Sequence, residues 1–329
     1  MISVLLSTNN EIGGYFEFDL PDLGQFPYPQ AFKYNSARSA FYDLLVQNNI
    51  KKIWMPNFIC DSIIEPLILL NVSIQYYDID SNFYPDLPDQ IQIDEYMFYV
   101  NYFGLCTSVQ KKILAKYPAN QVIFDHSQAF FVPPFECFAT IYSPRKFLPV
   151  AEGGLLVTES ISKANYSSSE IEWILDQYQH TFIRKLSSAK EGYEKFKQSE
   201  ILLNDCIPRE MSKITEEILY SLDYSKLKDR RLENFNYLHY ALSDINHLKV
   251  DISTVQSPLI YPLLLDRSYS EELIKENIFI PTYWLDCLKR VSRISFEYEF
   301  VNNTTNLVCD HRYSNKQIQF QIYKIREYL

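Results

Sequence analysis

The chain has 329 residues, 47% of them hydrophobic, which is long enough for two domains with ordinary buried cores. Its formal net charge of −10, from 31 Lys and Arg against 41 Asp and Glu, excludes an electrostatically driven nucleic-acid binder, because neutralising phosphates needs a clustered basic surface. No apolar run approaches the roughly 20 residues that cross a bilayer; the best stretch, residues 63–72, is interrupted by Glu65, Pro66 and Asn71. Met1 to Asn10 has no basic region ahead of its short Ile-Ser-Val-Leu-Leu run and does not read as a secretory signal, so a cytoplasmic location is expected, with neither membrane nor nucleic acid as a partner. Six scattered cysteines (Cys60, Cys106, Cys137, Cys206, Cys287, Cys309) form no CxxC pair and read as reduced thiols, with no metal site. Only 7 glycines occur against 26 Tyr and 22 Phe, so Gly104, Gly153 and Gly154, each beside a candidate site, stand out.

In chain order, Ser36 is placed to cap a helix whose apolar face holds Ala40, Phe41, Leu44 and Leu45 and which ends at Asn48-Asn49. A strand over 53–55, a helix over 61–70 and a strand over 74–77 follow. Residues 96–100 read as a strand, Thr107 as the cap of a helix through Val109, Ile113 and Leu114, and 121–124, 138–142 and 155–158 as further short strands. Strands alternating with helices imply right-handed crossovers and a mainly parallel, buried sheet with ligands at the carboxyl ends of its strands. From 167 to 203, Ile171, Ile174, Tyr178, Phe182, Leu186, Tyr193 and Phe196 recur at helical spacing, predicting one long amphipathic segment. Helices over 212–222 and 224–242, strands over 248–252, 259–265 and 307–309, and a helix over 315–328 predict a smaller α/β domain, with the boundary near residue 223.

Three segments fall at strand ends or helix starts: Asn35-Ser36-Ala37-Arg38-Ser39-Ala40, Asp125-His126-Ser127-Gln128-Ala129, and Ser143-Pro144-Arg145-Lys146 leading to Glu152-Gly153-Gly154. Singly, each has an ordinary structural explanation: an N-cap, an aspartate turn, a solvated loop lysine. Asp125, His126 and Ser127 contain the residue types of a hydrolase triad, but consecutive strand residues point to opposite faces and cannot form the relay. Cys309-Asp310-His311 supplies too few ligands for a structural zinc. No GxGxxG, GxxxxGK[ST] or glycosidase-like carboxylate pair is present.

Taken together and in order, the three segments resemble the DegT/DnrJ/EryC1/StrS family of sugar aminotransferases, whose fold is that of aspartate aminotransferase. Lys146 matches the lysine of the family's Pro-Thr-Lys segment, with Glu152-Gly153-Gly154 matching the Gly-Glu-Gly-Gly that follows. Asp125, Gln128 and Ala129 match an Asp-x-x-Gln-Ala pattern. Asn35 to Ala40 resembles the Gly-Thr-x-Ala-Leu phosphate loop, with Ala37 for glycine and Arg38 for threonine. Met55-Pro56-Asn57-Phe58-Ile59-Cys60 resembles Pro-x-Tyr-Thr-Phe, with Cys60 at the last aromatic position. Asn101 stands at the histidine of a His-x-x-Gly turn, and Pro208-Arg209-Glu210-Met211 lacks the asparagine of the family's cross-subunit Asn-x-Arg-Met segment.

The resemblance implies a three-layer α/β/α PLP-transferase (aspartate aminotransferase-like) large domain, residues 1–222, and a smaller C-terminal α/β domain, residues 223–329. It implies pyridoxal 5'-phosphate (PLP) as cofactor. Lys146 would be its covalent anchor, Asp125 would bind the pyridine nitrogen and Gln128 the ring hydroxyl. Arg38, Ser39 and Ser143 would hold the phosphate, and Phe58 would stack on the ring. Because family members that act as dehydratases carry histidine at the lysine position, Lys146 points to transamination. The expected partners are an amino-acid donor, glutamate, and a nucleotide-linked keto-sugar made for a surface polysaccharide or glycosylated metabolite, with a homodimer as the active unit. The competing expectation is a cofactor-free or inactive protein that keeps the fold for binding or scaffolding.

Overall fold

The computed structural model describes residues 13–162 and 165–329. The Met1 to Asn10 stretch lies outside the described residues. The first part of the chain forms β1 (Phe32–Tyr34), α1 (Ala37–Gln47), β2 (Lys52–Pro56), α2 (Asp61–Leu69), β3 (Ser73–Tyr77), β4 (Glu95–Val100), α3 (Thr107–Lys116), β5 (Val122–Asp125), β6 (Ala139–Tyr142) and β7 (Gly154–Val157). These strands build one seven-stranded sheet in the order β1-β7-β6-β5-β4-β2-β3. Neighbours from β3 through β6 pair in parallel, and β7 runs antiparallel to both β6 and β1. β1 is therefore parallel to β5 and β6, so the carboxyl ends of all three open on one edge. Every residue of β5 and β6 is buried, as expected of parallel strands covered on both faces.

Local chemistry sets the helix that matters most for this edge. Ser36 is extended and its hydroxyl accepts the Ser39 N–H at 3.0 Å, closing the first turn of α1, while Ala40, Phe41, Leu44 and Leu45 bury the predicted face. α1 stops at Asn48, with Asn49 in the left-handed region at φ 49°.

The remainder forms α4 (Ile171–Leu186), α5 (Ala189–Leu202), α6 (Lys213–Tyr220), α7 (Tyr224–Leu242), β8 (Ile260–Leu264), α8 (Ser270–Lys275), α9 (Phe296–Asn303), β9 (Thr304–Val308) and α10 (Asn315–Tyr328). β8 and β9 pair antiparallel. Phe235, Leu238, Tyr261, Leu263, Leu307 and Ile318 form a second apolar core there, whereas Trp284 and Phe300 join the core of the large sheet.

Three local expectations are corrected. The segment over 167–203 is two helices, because Ser188 caps α5 by accepting the Glu191 N–H at 3.2 Å, a Ser-x-x-Glu signal that the unbroken periodicity masked. Thr107 is the first residue of α3, and Cys106 takes the cap position without a side-chain bond. The strand expected over 248–252 does not form, and Ile252 opens a short 3₁₀ turn. There Asn246 accepts the N–H groups of Leu248 and Leu264 at 3.0 Å each and donates to Pro262 O at 2.9 Å, so a side chain replaces the sheet ladder.

Candidate active site

Three chain segments converge on the sheet edge defined by β1, β5 and β6. Asp125 closes β5 with its carboxylate almost fully buried, and its Oδ1 accepts the Ser127 N–H at 2.7 Å. Burial pushes the Asp125 carboxyl above its ordinary range, and the charge of Lys146 opposes that shift. Lys146 ends a tight turn that Pro144 starts after β6, fixed by Phe147 N–H donating to Pro144 O at 2.9 Å. The turn is pinned from α7 as well, since the buried Arg231 donates to Phe147 O at 3.2 Å and lies 4.7 Å from the Phe147 ring centroid.

The loop leading into α1 lies directly on β7. A Cβ at Gly154 would sit 2.1 Å from the Ser36 carbonyl carbon, so only glycine lets the two backbones approach this closely. Gly153, at φ 119°, donates its N–H to Asn35 O at 2.8 Å. The preceding Glu152 is fully buried, and its Oε1 accepts the N–H of Ser212 at 3.1 Å and its hydroxyl at 2.7 Å. Burial pushes the Glu152 carboxyl up to about 7.

A cavity of about 80 Å³ forms where these pieces meet, lined by Ser36, Ala37, Arg38, Asp125, Ser143 and Lys146. A larger cavity of about 710 Å³ lies elsewhere, between Ser168–Ser169 and the start of α6, and is lined chiefly by carboxylates and apolar groups. Lys146, Asp125, Arg38 and Ser143, four of the residues named from sequence, thus share the smaller cavity. Ser39, Gln128 and Phe58 do not line it. Ser39 spends its N–H on Ser36 Oγ and its hydroxyl on Ile207 O at 3.3 Å. Gln128 Oε1 accepts the Phe103 N–H at 3.0 Å, leaving Nε2 buried and unpartnered. Phe58 stacks on Tyr102 at 5.2 Å and meets Trp284 edge-on at 4.6 Å, inside the apolar core. Cys60, at the last aromatic position of the motif, lines the cavity instead, its Sγ 2.9 Å from Ser62 Oγ.

Ser62, Ile63, Ser127, Arg145 and Leu203 also line the cavity without a role assigned from sequence. Ser127 and Arg145 lie inside the motif segments themselves. Leu203 arrives from the end of α5, and no local signal announces it. This end of α5 is stitched to the other segments. Arg145 Nη1 and Nη2 bond the two carboxylate oxygens of Glu200, the second at 3.2 Å. Arg38 Nη1 donates to Glu65 Oε2 at 3.0 Å, both its terminal nitrogens lie 3.4 Å from Asn204 Oδ1, and its Nε is buried and unpartnered. Arg209, at the segment that lacks the cross-subunit asparagine, pairs with Asp205 of its own chain.

Just past the end of β5, His126 lies outside the cavity, its ring among Gln110 and Val132. Burial drops its pKa to about 3, so the ring is neutral. Its Nδ1–H donates to Val132 O at 3.2 Å and its Nε2 accepts from Gln110 Nε2 at 2.8 Å. Gln110 Oε1 in turn accepts from Asn101 Nδ2 at 2.6 Å, and Asn101 Oδ1 accepts the Cys106 N–H at 2.9 Å. Every member of this buried chain has a partner. All six cysteines are free. Among the described residues no helix is long and apolar enough to cross a membrane.

No family model matches the sequence, and no curated protein matches it. Solved structures do resemble the fold. A DegT DnrJ EryC1 StrS aminotransferase from Brucella abortus superposes with a TM-score of 0.64 at 13% identity, covering 94% of this chain and 90% of that one. DesI, solved in the presence of its TDP-sugar product, gives 0.63 at 14% identity over 93% and 82%. The PLP form of Spr1654 from Streptococcus pneumoniae gives 0.59 at 15% identity over 92% and 88%. The chain has the fold of these proteins, the PLP-transferase architecture expected from its sequence.

Proposed function

We propose that the protein is a PLP-dependent aminotransferase that acts on a sugar. The observation that carries this reading is the convergence of Lys146, Asp125 and the N-terminus of α1 on one cavity. The residues present fit the cofactor. Asp125 is a buried carboxylate with one oxygen free of hydrogen bonds to the protein's backbone, and α1 offers N–H groups to an anion. Bound there, PLP supplies the electron sink that lets an amino acid lose its α-hydrogen as a proton.

The chain's own groups then have defined tasks. Lys146 tethers the cofactor and, once freed, holds and delivers the proton as general acid and base. Asp125 keeps the pyridine nitrogen protonated. Arg38, Ser143 and the first N–H groups of α1 hold the phosphate. The solved structures of like fold support a sugar acceptor, one of them having been determined with a TDP-sugar product. Glutamate as donor, a nucleotide-linked keto-sugar as acceptor, a role in surface polysaccharide or glycosylated metabolite synthesis, a homodimer and a cytoplasmic location complete the reading. It also divides the chain into a cofactor-binding domain, residues 1–222, and a smaller domain, residues 223–329, a division supported by the separate apolar core that begins in α7.

The test is the visible absorption spectrum of the purified protein with added PLP, for wild type and Lys146→Ala, before and after glutamate. A lysine-dependent band that bleaches with glutamate is expected. If wild type shows no such band, the catalytic reading fails and a cofactor-free binding or scaffolding protein replaces it.

A further inference from the structure

Arg145 is charged, lines the cavity beside Lys146, and has no task in holding the cofactor. The cavity wall carries three cations, Arg38, Arg145 and Lys146, against one carboxylate, Asp125. In the reading above, Lys146 is committed to the cofactor's aldehyde and Arg38 to its phosphate, which leaves one guanidinium over. That guanidinium already shows what it recognises. Its two terminal nitrogens meet the two oxygens of Glu200 in the planar, bidentate arrangement that suits carboxylates best. Glu200 comes from α5, 55 residues away in sequence, and its side chain is 40% exposed while that of Arg145 is 25% exposed. An ion pair this accessible contributes little to stability and exchanges readily with a carboxylate from solution.

Arg145 also stands on the wall of a cavity that Leu203, at the end of α5, helps to line. The Arg145–Glu200 pair, together with Arg38–Asn204, ties the end of α5 beside Leu203 to the cavity wall. We propose that Arg145 is the anchor for a carboxylate of the amino-acid substrate, and that Glu200 is an internal carboxylate which occupies that anchor at rest and is displaced on binding. The assignment rests on the aminotransferase reading and turns a carboxylate of the amino donor towards α5.

Two measurements on the full-length protein separate this assignment from the reading beneath it. The first titrates PLP-loaded protein with glutamate and follows the absorbance change. Relative to wild type, Arg145→Gln is expected to raise the half-saturating concentration by about 10- to 100-fold, the loss of a charge-assisted bidentate contact, while the rate at saturation changes little. Arg145→Lys recovers part of that loss, and Glu200→Gln lowers the half-saturating concentration by roughly two- to five-fold. An unchanged half-saturation in Arg145→Gln, or a Glu200→Gln variant that weakens binding as Arg145→Gln does, overturns the proposal and leaves the pair a purely structural tie.

The second measures calorimetric binding of glutarate, a dicarboxylate with no amino group to react, with thermal unfolding as a control for folding. Wild type is expected to bind it and Arg145→Gln to lose it. Equal binding by both proteins, or none by wild type, sinks the anchor even where the lysine-dependent spectrum is seen. Arginine-dependent glutarate binding without that spectrum sinks the aminotransferase reading and leaves the carboxylate site standing.

Discussion

The floor and back wall of the cavity are built quite differently from its rim. Under Asp125, the chain from Asn101 through Gln110 to His126 and Val132 is wholly buried and each polar group is matched, while at the back Ser36 and Gly154 touch backbone to backbone. At the rim, Arg38 and Arg145 are held by Glu65 and Glu200, both well exposed, through ion pairs that water can replace. Buried, fully satisfied polar groups are costly to disturb, whereas exposed ion pairs are not. The lesson is a difference in exchangeability: the contacts beneath and behind the cavity are set when the sheet folds, and the two guanidiniums at its rim are tied by pairs that can be replaced.

The sharpest way to break this contrast is at the back wall. Gly154→Ala puts a methyl group into the Ser36 backbone and is expected to cost about 4 kcal/mol or more, or to prevent folding, measured as a shift of the urea midpoint. A variant with the wild-type midpoint shows that the two backbones are not in contact. A smaller effect is expected at the floor. His126 is neutral when folded and titrates near 3, so between that pH and the ordinary histidine value near 6.5 the unfolded chain binds the extra proton. Stability present above pH 6.5 is therefore lost as pH falls, by about 3 kcal/mol at pH 4 from this group alone. His126→Gln should flatten that slope in unfolding experiments between pH 7 and pH 4, and an unchanged slope means that the ring is not buried as described. At the rim, Glu65→Gln is expected to change stability by less than about 1 kcal/mol, since Glu65 itself is nearly half exposed and Gln can still accept from Arg38. A loss comparable with that at Gly154 erases the distinction between rim and floor.

What was legible in the sequence follows the same division. Ser36, Asp125 and Lys146 each sit where a local pattern ends, a cap or a strand terminus, and the fold brings those ends to one edge because β1, β5 and β6 run parallel. The place of Phe58 was not legible locally, because it is decided by Tyr102, Trp284 and Phe300, the last two more than 200 residues distant, which draw the ring into the core and leave Cys60 at the cavity. Gln128 is likewise claimed by the Phe103 backbone, whose φ of 57° no local pattern foretold. The hairpin of α4 and α5 shows a different failure, since its break was written in Ser188 and Glu191 but hidden under a periodicity that runs on through both helices.

The buried Arg231 gives the lysine turn a mechanical dependence on the far half of the chain. Its guanidinium hangs Phe147, the residue after Lys146, together with Pro258 and Leu259, from α7, whose later turns help build the second apolar core. Loosening that core by local unfolding, cleavage or a distant cavity slackens α7 and releases the turn's carbonyl tether. The lysine turn thus depends, through one guanidinium, on a helix whose own footing lies in the C-terminal third.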